Sequence, residues 1–130
     1  MISLLRPEGL VHSPAFSHVA VVPPGATTVY VGGQNAVDAG GRLTGDGDVA
    51  AQTSLAMANL VTALAAAGAT VHDLVMLTIL VVEDADLSAA YPVAATALAG
   101  ASPPVSVGRV AGLAVPGALV EVGAVAAVEL

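Results

Sequence analysis

The chain has 130 residues and no cysteine, and its three arginines oppose ten acidic residues, for a net charge of −7. This length supports a single domain over residues 1–130 with one hydrophobic core. The acidic balance disfavours contact with a phosphate backbone, so no nucleic-acid partner is expected. Without cysteine, disulfides, thiolate catalysis and cysteine-based zinc sites are excluded.

Compartment and assembly are predicted from hydropathy. No basic segment followed by an apolar one opens the chain, so we predict no signal peptide and a cytoplasmic protein. The uncharged segment 49–71 has the length of a membrane span, but polar residues interrupt it and alanine adds little transfer energy, so no membrane contact is expected. The residues are 56% hydrophobic but only 2% aromatic, and we expect self-association to cover the excess apolar surface.

Two strands are predicted in the first part of the chain. Ser17–Val22 and Thr27–Val31 flank a Pro-Pro-Gly turn and are predicted to pair as a hairpin. An alternative assignment adds a short strand near Val11. A polar, glycine-rich loop follows over residues 38–47.

Two helices are predicted next. Asp48 is a suitable N-cap for a helix that reaches Ala67. The second helix is placed between residues 86 and 99. Pro92 would break a helix interior, which favours a start near Ala89 or the residue after it.

Three strands complete the predicted fold. Leu74–Val82 is almost continuously apolar, which predicts a central strand covered on both faces. Ser106–Val110 and Ala118–Ala127 are predicted as the last two strands. The order β-β-α-β-α-β-β indicates an α+β fold with one antiparallel or mixed sheet and both helices on a single face. The uncovered sheet face then needs a partner subunit.

Glu121 is the only charge within Ala118–Ala127. A buried carboxylate without a partner costs several kcal/mol or takes up a proton, so this residue is a candidate functional group. Strand alternation places it on the same face as Gly123, whose missing side chain leaves space for a small molecule or a water. The alternative is a strand-end glutamate that reaches solvent or pairs with an arginine.

Other motifs give weaker signals. The three histidines are not spaced as a metal site, and no metal or cofactor is predicted. Ser17, His18 and Asp38 could be combined into a catalytic triad, but no nucleophile elbow supports it. Gly32-Gly33-Gln34 is too short for a phosphate loop, and it favours a close approach of bare backbone to another group.

Short motifs along the chain, taken together, carry a family resemblance. They are Ser13–Ser17, Val31–Gln34, Gln52, Asn59–Leu60, Ala66–Gly68, Asp73–Val75, Pro103–Ser106 and Leu119–Ala126. In this order they resemble the Rid family, the RidA/YjgF reactive-intermediate deaminases, over about residues 8–128.

The resemblance implies a chorismate-mutase-like α+β fold, with one mixed β-sheet and two helices on one face, assembled as a homotrimer with ligand clefts between subunits. It also implies hydrolysis of enamine or imine acids to keto acids and ammonia. In the family an arginine binds the substrate carboxylate, and a glutamate on the last strand positions the attacking water. Backbone groups near the motif glycine help to hold the ligand.

Carried over to this chain, Glu121 matches the catalytic glutamate and Gly33 matches the motif glycine. Val105 stands at the arginine position, so the carboxylate clamp is missing. The other predicted substrate-binding positions also depart from the family pattern: Phe16 for a tyrosine, Gly32 for a serine, Tyr91 for an asparagine and Val107 for a frequent cysteine.

Arg109 is too distant to replace the missing arginine. Four residues along a strand separate Cα atoms by roughly 13 Å, which exceeds the reach of its side chain, so we expect Arg109 to pair elsewhere. The resulting hypothesis is a trimeric hydrolase of enamines or imines that are not the usual carboxylates. The alternative is a non-catalytic binder of a small apolar metabolite, with Glu121 accepting a hydrogen bond. A purely structural trimer leaves Glu121 unexplained.

Overall fold

Six strands, two α-helices and one short 3₁₀ helix (Val71–Asp73) make up the computed structural model of the protein, which describes residues 1–130. They are β1 (Ser3–Leu5), β2 (Val19–Val21), β3 (Thr27–Gln34), α1 (Val49–Ala66), β4 (Leu74–Val82), α2 (Leu87–Leu98), β5 (Val105–Val110) and β6 (Val120–Val128). The first two strands form an antiparallel ribbon. The other four form one sheet in the order β3-β6-β4-β5, in which only β4 and β5 are parallel. The predicted α+β fold with a mixed sheet is confirmed.

The predicted hairpin between β2 and β3 is wrong. β2 pairs with β1, with Leu4 opposite Ala20, and β3 pairs with β6, with Val29 opposite Ala126. The eight-residue β3 gains a longer ladder from β6 than the three-residue β2 could offer. The additional short strand lies at the start of the chain, and Val11 belongs to no strand.

α1 begins and ends close to the predicted residues. The Asp48 side chain accepts a hydrogen bond from the Ala51 N–H at 3.0 Å and so caps the first turn. One side of the helix carries Met57, Leu60 and Leu64, all with 0% exposure. The uncharged segment that has the length of a membrane span is therefore the core helix of this domain.

α2 begins at Leu87, earlier than predicted. Its N-cap, Asp86, accepts hydrogen bonds from the Ser88 N–H at 2.9 Å and the Ser88 hydroxyl at 2.6 Å. The hydroxyl bond, followed by the backbone bond, lowers the pKa of Asp86 below its usual range. Pro92 lies inside the helix, where its missing N–H leaves the carbonyl of Ser88 without its intrahelical donor. Both residues lie on the exposed side, where water can bond that carbonyl.

The two helices cover one face of the sheet. Leu77 and Val81 of β4 and Val120 and Val122 of β6 are fully buried beneath them. The opposite side, here called the open face, carries Tyr30, Met76, Thr78, Leu80, Glu121, Gly123 and Val125, none of which is fully buried. The prediction that β4 is covered on both faces is therefore wrong for the single chain, because its second face has no layer above it.

Candidate functional site

Glu121 lies on the open face of β6. Its neighbours Val120 and Val122 are fully buried on the helix-covered face, so the predicted alternation is confirmed. The residue is half-buried and lies opposite Leu80 of β4. No arginine pairs with it, since the only ion pair of the chain joins the amine of Met1 to the carboxylate of Glu129.

The side chain of Glu121 lies directly against the backbone of Gly33. A Cβ placed on Gly33 would come within 2.6 Å of the Glu121 Cδ and 2.7 Å of its Oε2, so no residue with a side chain fits there without displacing the carboxylate. The ladder shifts at this point, because Val31 is opposite Ala124 whereas Gln34 is opposite Val122. One extra residue therefore enters β3 as a bulge. The predicted close approach of bare backbone is confirmed at Gly33.

The open face has free space at Gly32 and Gly123. Gly32 would meet no atom within 4 Å if it carried a Cβ, and Gly123 would make only ordinary contacts, the nearest to the Val31 carbonyl at 3.7 Å. A hollow of 310 Å³ on the open face is lined by Gly32 and Gly123 together with Thr78 and Met76. A small molecule fits on the sheet here; Glu121 does not line this hollow, but it lies on the same face two residues before Gly123.

A buried amide of α1 fixes the start of β6. Gln52 has 0% exposure. Its Oε1 accepts a hydrogen bond from the Leu119 N–H at 2.8 Å. Its Nε2 donates to the carbonyls of Gly45 and Gly117, both at 3.1 Å. All three bonds end within a loop or at the residue before β6, so this side chain sets where the strand that carries the glutamate begins.

Two asparagines join α1 to the strands that frame Glu121. Asn35 Nδ2 donates to the Val120 carbonyl at 3.0 Å. Asn59 Nδ2 donates in turn to the carbonyls of Asn35 and Val37, both at 2.9 Å. The end of β3 is therefore tied to the residue immediately before Glu121. The sequence signal for this role was an amide on an otherwise apolar helix: Asn59 belongs to the motifs that carry the family resemblance, whereas Asn35 does not.

Four of the predicted substrate-binding residues line a single cavity on the other side of the sheet. Phe16, Tyr91, Val105 and Val107 surround a volume of 390 Å³ between α2, β5 and the loop before β2. Eleven of its thirteen lining residues are hydrophobic and none is charged. The hydroxyl of Tyr91 is its only polar side-chain group, so the cavity suits the apolar part of a ligand.

Arg6 holds the cavity wall that carries Phe16. Its Nε donates to the carbonyls of Ser13 at 3.0 Å and Phe16 at 3.1 Å, and its Nη2 donates to the carbonyl of Pro14 at 3.4 Å. The ring of Phe16 meets the ring of His18 edge to face, with centroids 5.4 Å apart. This role of Arg6 was not predicted, because three carbonyl acceptors in a loop leave no trace in the residue types.

Arg109 does not reach the position of the missing clamp. Its Nη1 donates to the carbonyls of Glu83 and Ala85, both at 2.9 Å. The prediction that it pairs elsewhere is confirmed. Val105 remains as an uncharged part of the cavity wall, and the cavity contains no group that could pair with a carboxylate.

The sheet separates the predicted residues into two groups. Val105 is in register with the core residue Leu77, whereas Glu121 is in register with Leu80 of the open face. Phe16, Tyr91, Val105 and Val107 therefore lie on the helix-covered side, and Gly32, Gly33 and Glu121 lie on the open side. A single chain does not bring them into one cleft. No group of three histidine or acidic residues is placed to hold a metal ion.

The fold and these motifs agree with comparisons to known proteins. The sequence profile of the family described as Endoribonuclease L-PSP matches residues 10–128. The chain therefore belongs to this family, whose solved structures include Rid/YjgF/UK114 proteins. Among curated proteins, none matches the chain.

Three solved structures illustrate the similarity. YyfB from Yersinia pestis, a conserved Rid protein of unknown function, is 34% identical over 96% of this chain and 97% of its own, with a TM-score of 0.85. Rv2704 from Mycobacterium tuberculosis, of the YjgF/YER057c/UK114 family, is 30% identical over 98% and 100%, with a TM-score of 0.68. RidA from an Antarctic Psychrobacter is 23% identical over 89% and 96%, with a TM-score of 0.69, and shares the fold.

Proposed function

We propose that the protein is a cytoplasmic, homotrimeric hydrolase that deaminates small enamines or imines to carbonyl compounds and ammonia. The observation that carries this proposal is the Glu121 carboxylate, which lies over Gly33 on the open face, two residues before the Gly123 that lines the hollow, and has no ion-pair partner in the chain. The structural acids Asp48 and Asp86 accept hydrogen bonds from backbone N–H groups, whereas the Glu121 carboxylate accepts none within the chain.

Glu121 is proposed to act as the general base. It accepts a proton from water while the water oxygen bonds to the imine carbon and the π electron pair moves to nitrogen. That proton passes to nitrogen, the hydroxyl proton follows it as the C–N bond breaks and the C=O bond forms, and ammonia leaves a carbonyl product. The net change is R₂C=NH + H₂O → R₂C=O + NH₃. A positioned base of this kind contributes about 10²- to 10⁴-fold to the rate.

The proposed ligand contacts follow from the two groups of residues. Gly32 and Gly33 offer bare backbone beside the carboxylate, and Phe16, Tyr91 and Val107 offer apolar surface. Because Val105 supplies no charge, we propose that the substrate is not one of the usual 2-imino acids.

A trimer is proposed because the two groups lie on opposite sides of one sheet, so a cleft that contains both needs two chains. The open face also carries Tyr30, which is 80% exposed, beside half-buried Met76 and Val125. Light scattering after gel filtration should give three times the 12.5 kDa chain mass. A stable monomer at micromolar concentration contradicts the shared cleft.

The activity is tested with imines generated in situ by an amine or amino-acid oxidase, with ammonia release compared with that in a protein-free control. Glu121→Gln should keep the mass and stay within about 1 kcal/mol of the parent stability. It should lose about 10²-fold or more of the acceleration. A variant that unfolds instead assigns Glu121 to structure rather than catalysis.

A second candidate is a non-catalytic binder of a small apolar metabolite. The observation that favours it is the uncharged cavity of 390 Å³ around Phe16 and Val105. In this case an apolar ligand raises the melting temperature of the parent protein, while no imine is hydrolysed faster than in the control.

We propose no nucleic-acid or membrane partner, although the family description contains the word endoribonuclease. The net charge of −7 opposes the approach of RNA, whose binding depends on neutralised phosphates. Incubation with labelled single-stranded RNA at low salt should give neither retention nor cleavage.

A further inference from the structure

Resting on the proposed function, we propose that the substrate is a small iminium cation that carries no carboxylate and has a short apolar substituent. The positive nitrogen faces Glu121, and the substituent occupies uncharged surroundings. The charge of the ligand is inferred from the contacts that the three arginines of this chain make.

No arginine lines the cavity or the hollow. Arg6 donates to three carbonyls of the loop at residues 13–16. Arg109 donates to the carbonyls of Glu83 and Ala85. Arg42 is exposed in the loop at residues 38–47 and is the one guanidinium without a hydrogen-bond partner.

Both spaces beside the candidate residues are uncharged. The hollow on the open face and the cavity at Val105 have no charged lining residue. A carboxylate placed in either space would meet no counter-ion and would lie in the field of a chain with a net charge of −7. A cation gains from the same field.

The chemistry of hydrolysis agrees with a cationic substrate. A nearby carboxylate favours the protonated form of an imine, and protonation makes the imine carbon a better acceptor for water. Glu121 takes a proton from the attacking water, the C–O bond forms, and the π pair neutralises the nitrogen. After that proton passes to nitrogen, the C–N bond breaks and the oxygen gives up its own proton. The balanced change is R₂C=NH₂⁺ + H₂O → R₂C=O + NH₄⁺.

A matched pair of substrates tests the proposal. An amine oxidase converts isobutylamine to 2-methylpropan-1-imine, and an amino-acid oxidase converts valine to 2-imino-3-methylbutanoate. The two imines share a side chain and differ only by a carboxylate. With a semicarbazide trap to report the surviving imine, we expect kcat/KM for the carboxylate-free imine to exceed that for the imino acid at least tenfold. Added salt should reduce this preference.

Two results overturn the charge assignment while leaving imine hydrolysis standing. One is an equal or higher kcat/KM for the imino acid. The other is an imino-acid activity that disappears in Arg42→Ala, which would mean that this arginine reaches the cleft of another subunit. The expected result for Arg42→Ala is an unchanged preference.

A binding experiment separates the charge assignment from the proposed activity. Isobutylammonium chloride and sodium isobutyrate are stable ions of similar size and can be titrated into parent and Glu121→Gln protein by calorimetry. If neither imine is hydrolysed but the ammonium ion binds, and binds at least tenfold more weakly to Glu121→Gln, the hydrolase proposal fails and the charge assignment holds. Absence of ammonium binding, or preferred binding of isobutyrate, overturns the charge assignment.

Discussion

Replacement of Gly33 by alanine tests the contact at the centre of the candidate site. The new Cβ would lie 2.6 Å from the Glu121 Cδ, and ordinary contact begins at 3.4 Å, so the carboxyl group must retreat by about 0.8 Å. Gly33 does not occupy the left-handed region, so alanine adds no backbone strain. Overpacking costs about 1–3 kcal/mol of unfolding free energy. Because the glutamate side chain is flexible and can move aside, we expect a loss of about 1 kcal/mol.

A double-mutant cycle with Glu121→Ala isolates this contact. Without the glutamate side chain the clash disappears, and Gly33→Ala should then stabilise the protein by about 0.4–1 kcal/mol, because the unfolded chain loses conformational freedom. The two effects give a coupling of at least about 1 kcal/mol. Urea unfolding at one fixed protein concentration measures all four proteins. Gly112→Ala is the control, because a Cβ there meets no atom within 4 Å, and it should behave alike in both backgrounds.

The same displacement should reduce activity. A misplacement of about 1 Å can cost about 10²-fold in rate, so Gly33→Ala should lose most imine hydrolysis while it remains folded. An equal stability cost with and without the Glu121 side chain would refute the contact.

Three further changes extend the test. Val105→Arg should raise kcat/KM on a 2-imino acid at least about tenfold, which is the value of one charge-assisted contact. Val105→Met, a side chain of similar length without charge, should give no such gain. A folded arginine variant with no gain would argue against the missing clamp. Gln52→Met leaves the Leu119 N–H and the Gly117 carbonyl without a partner, whereas the Gly45 carbonyl keeps its bond from the Asp48 N–H. It should cost at least about 2 kcal/mol in urea unfolding, and Thr53→Val, a control that is also buried, should cost less than half of that. Ser88→Ala removes the 2.6 Å hydroxyl bond and should raise the pKa of Asp86, as followed by carboxyl NMR. The lowered pKa of Asp86 stabilises the folded state at pH values above the ordinary aspartate pKa, and this contribution is lost as the pH falls below roughly 4. The parent should therefore lose more stability than the variant on acidification.

Elements that depend on neighbouring residues are predictable from this sequence. The Asp48 cap and the alternation around Glu121 are confirmed because both are set within a few residues. The partner of β3 was not predictable, because the pairing of Val29 with Ala126 joins segments that are distant in the sequence. This pairing forms a longer ladder than pairing with the short β2 would. Pro92 misled the prediction of α2 because its cost depends on whether the freed carbonyl reaches water.

The candidate site was predictable in part. The contact of Gly33 with Glu121 agrees with the expectation that two adjacent glycines admit another group. Their separation from Val105 by the sheet required the register of β4 with both neighbours, which no single strand pattern contains. The role of Gln52 was visible only as a polar residue on an apolar helix stripe, without the loop carbonyls that explain it.

The attachment of the Phe16 loop has a consequence for altering ligand preference. The two ends of this loop are joined by the β1–β2 ribbon, which lies outside the main sheet. Arg6 donates its hydrogen bonds to backbone carbonyls of the loop rather than to side chains. Carbonyl acceptors are present whatever residues the loop contains. Residues 7–16 are therefore suited to grafting: loops of equal length from relatives could be exchanged as a cassette, reshaping one cavity wall while the hydrophobic core and the strand that carries Glu121 stay unchanged.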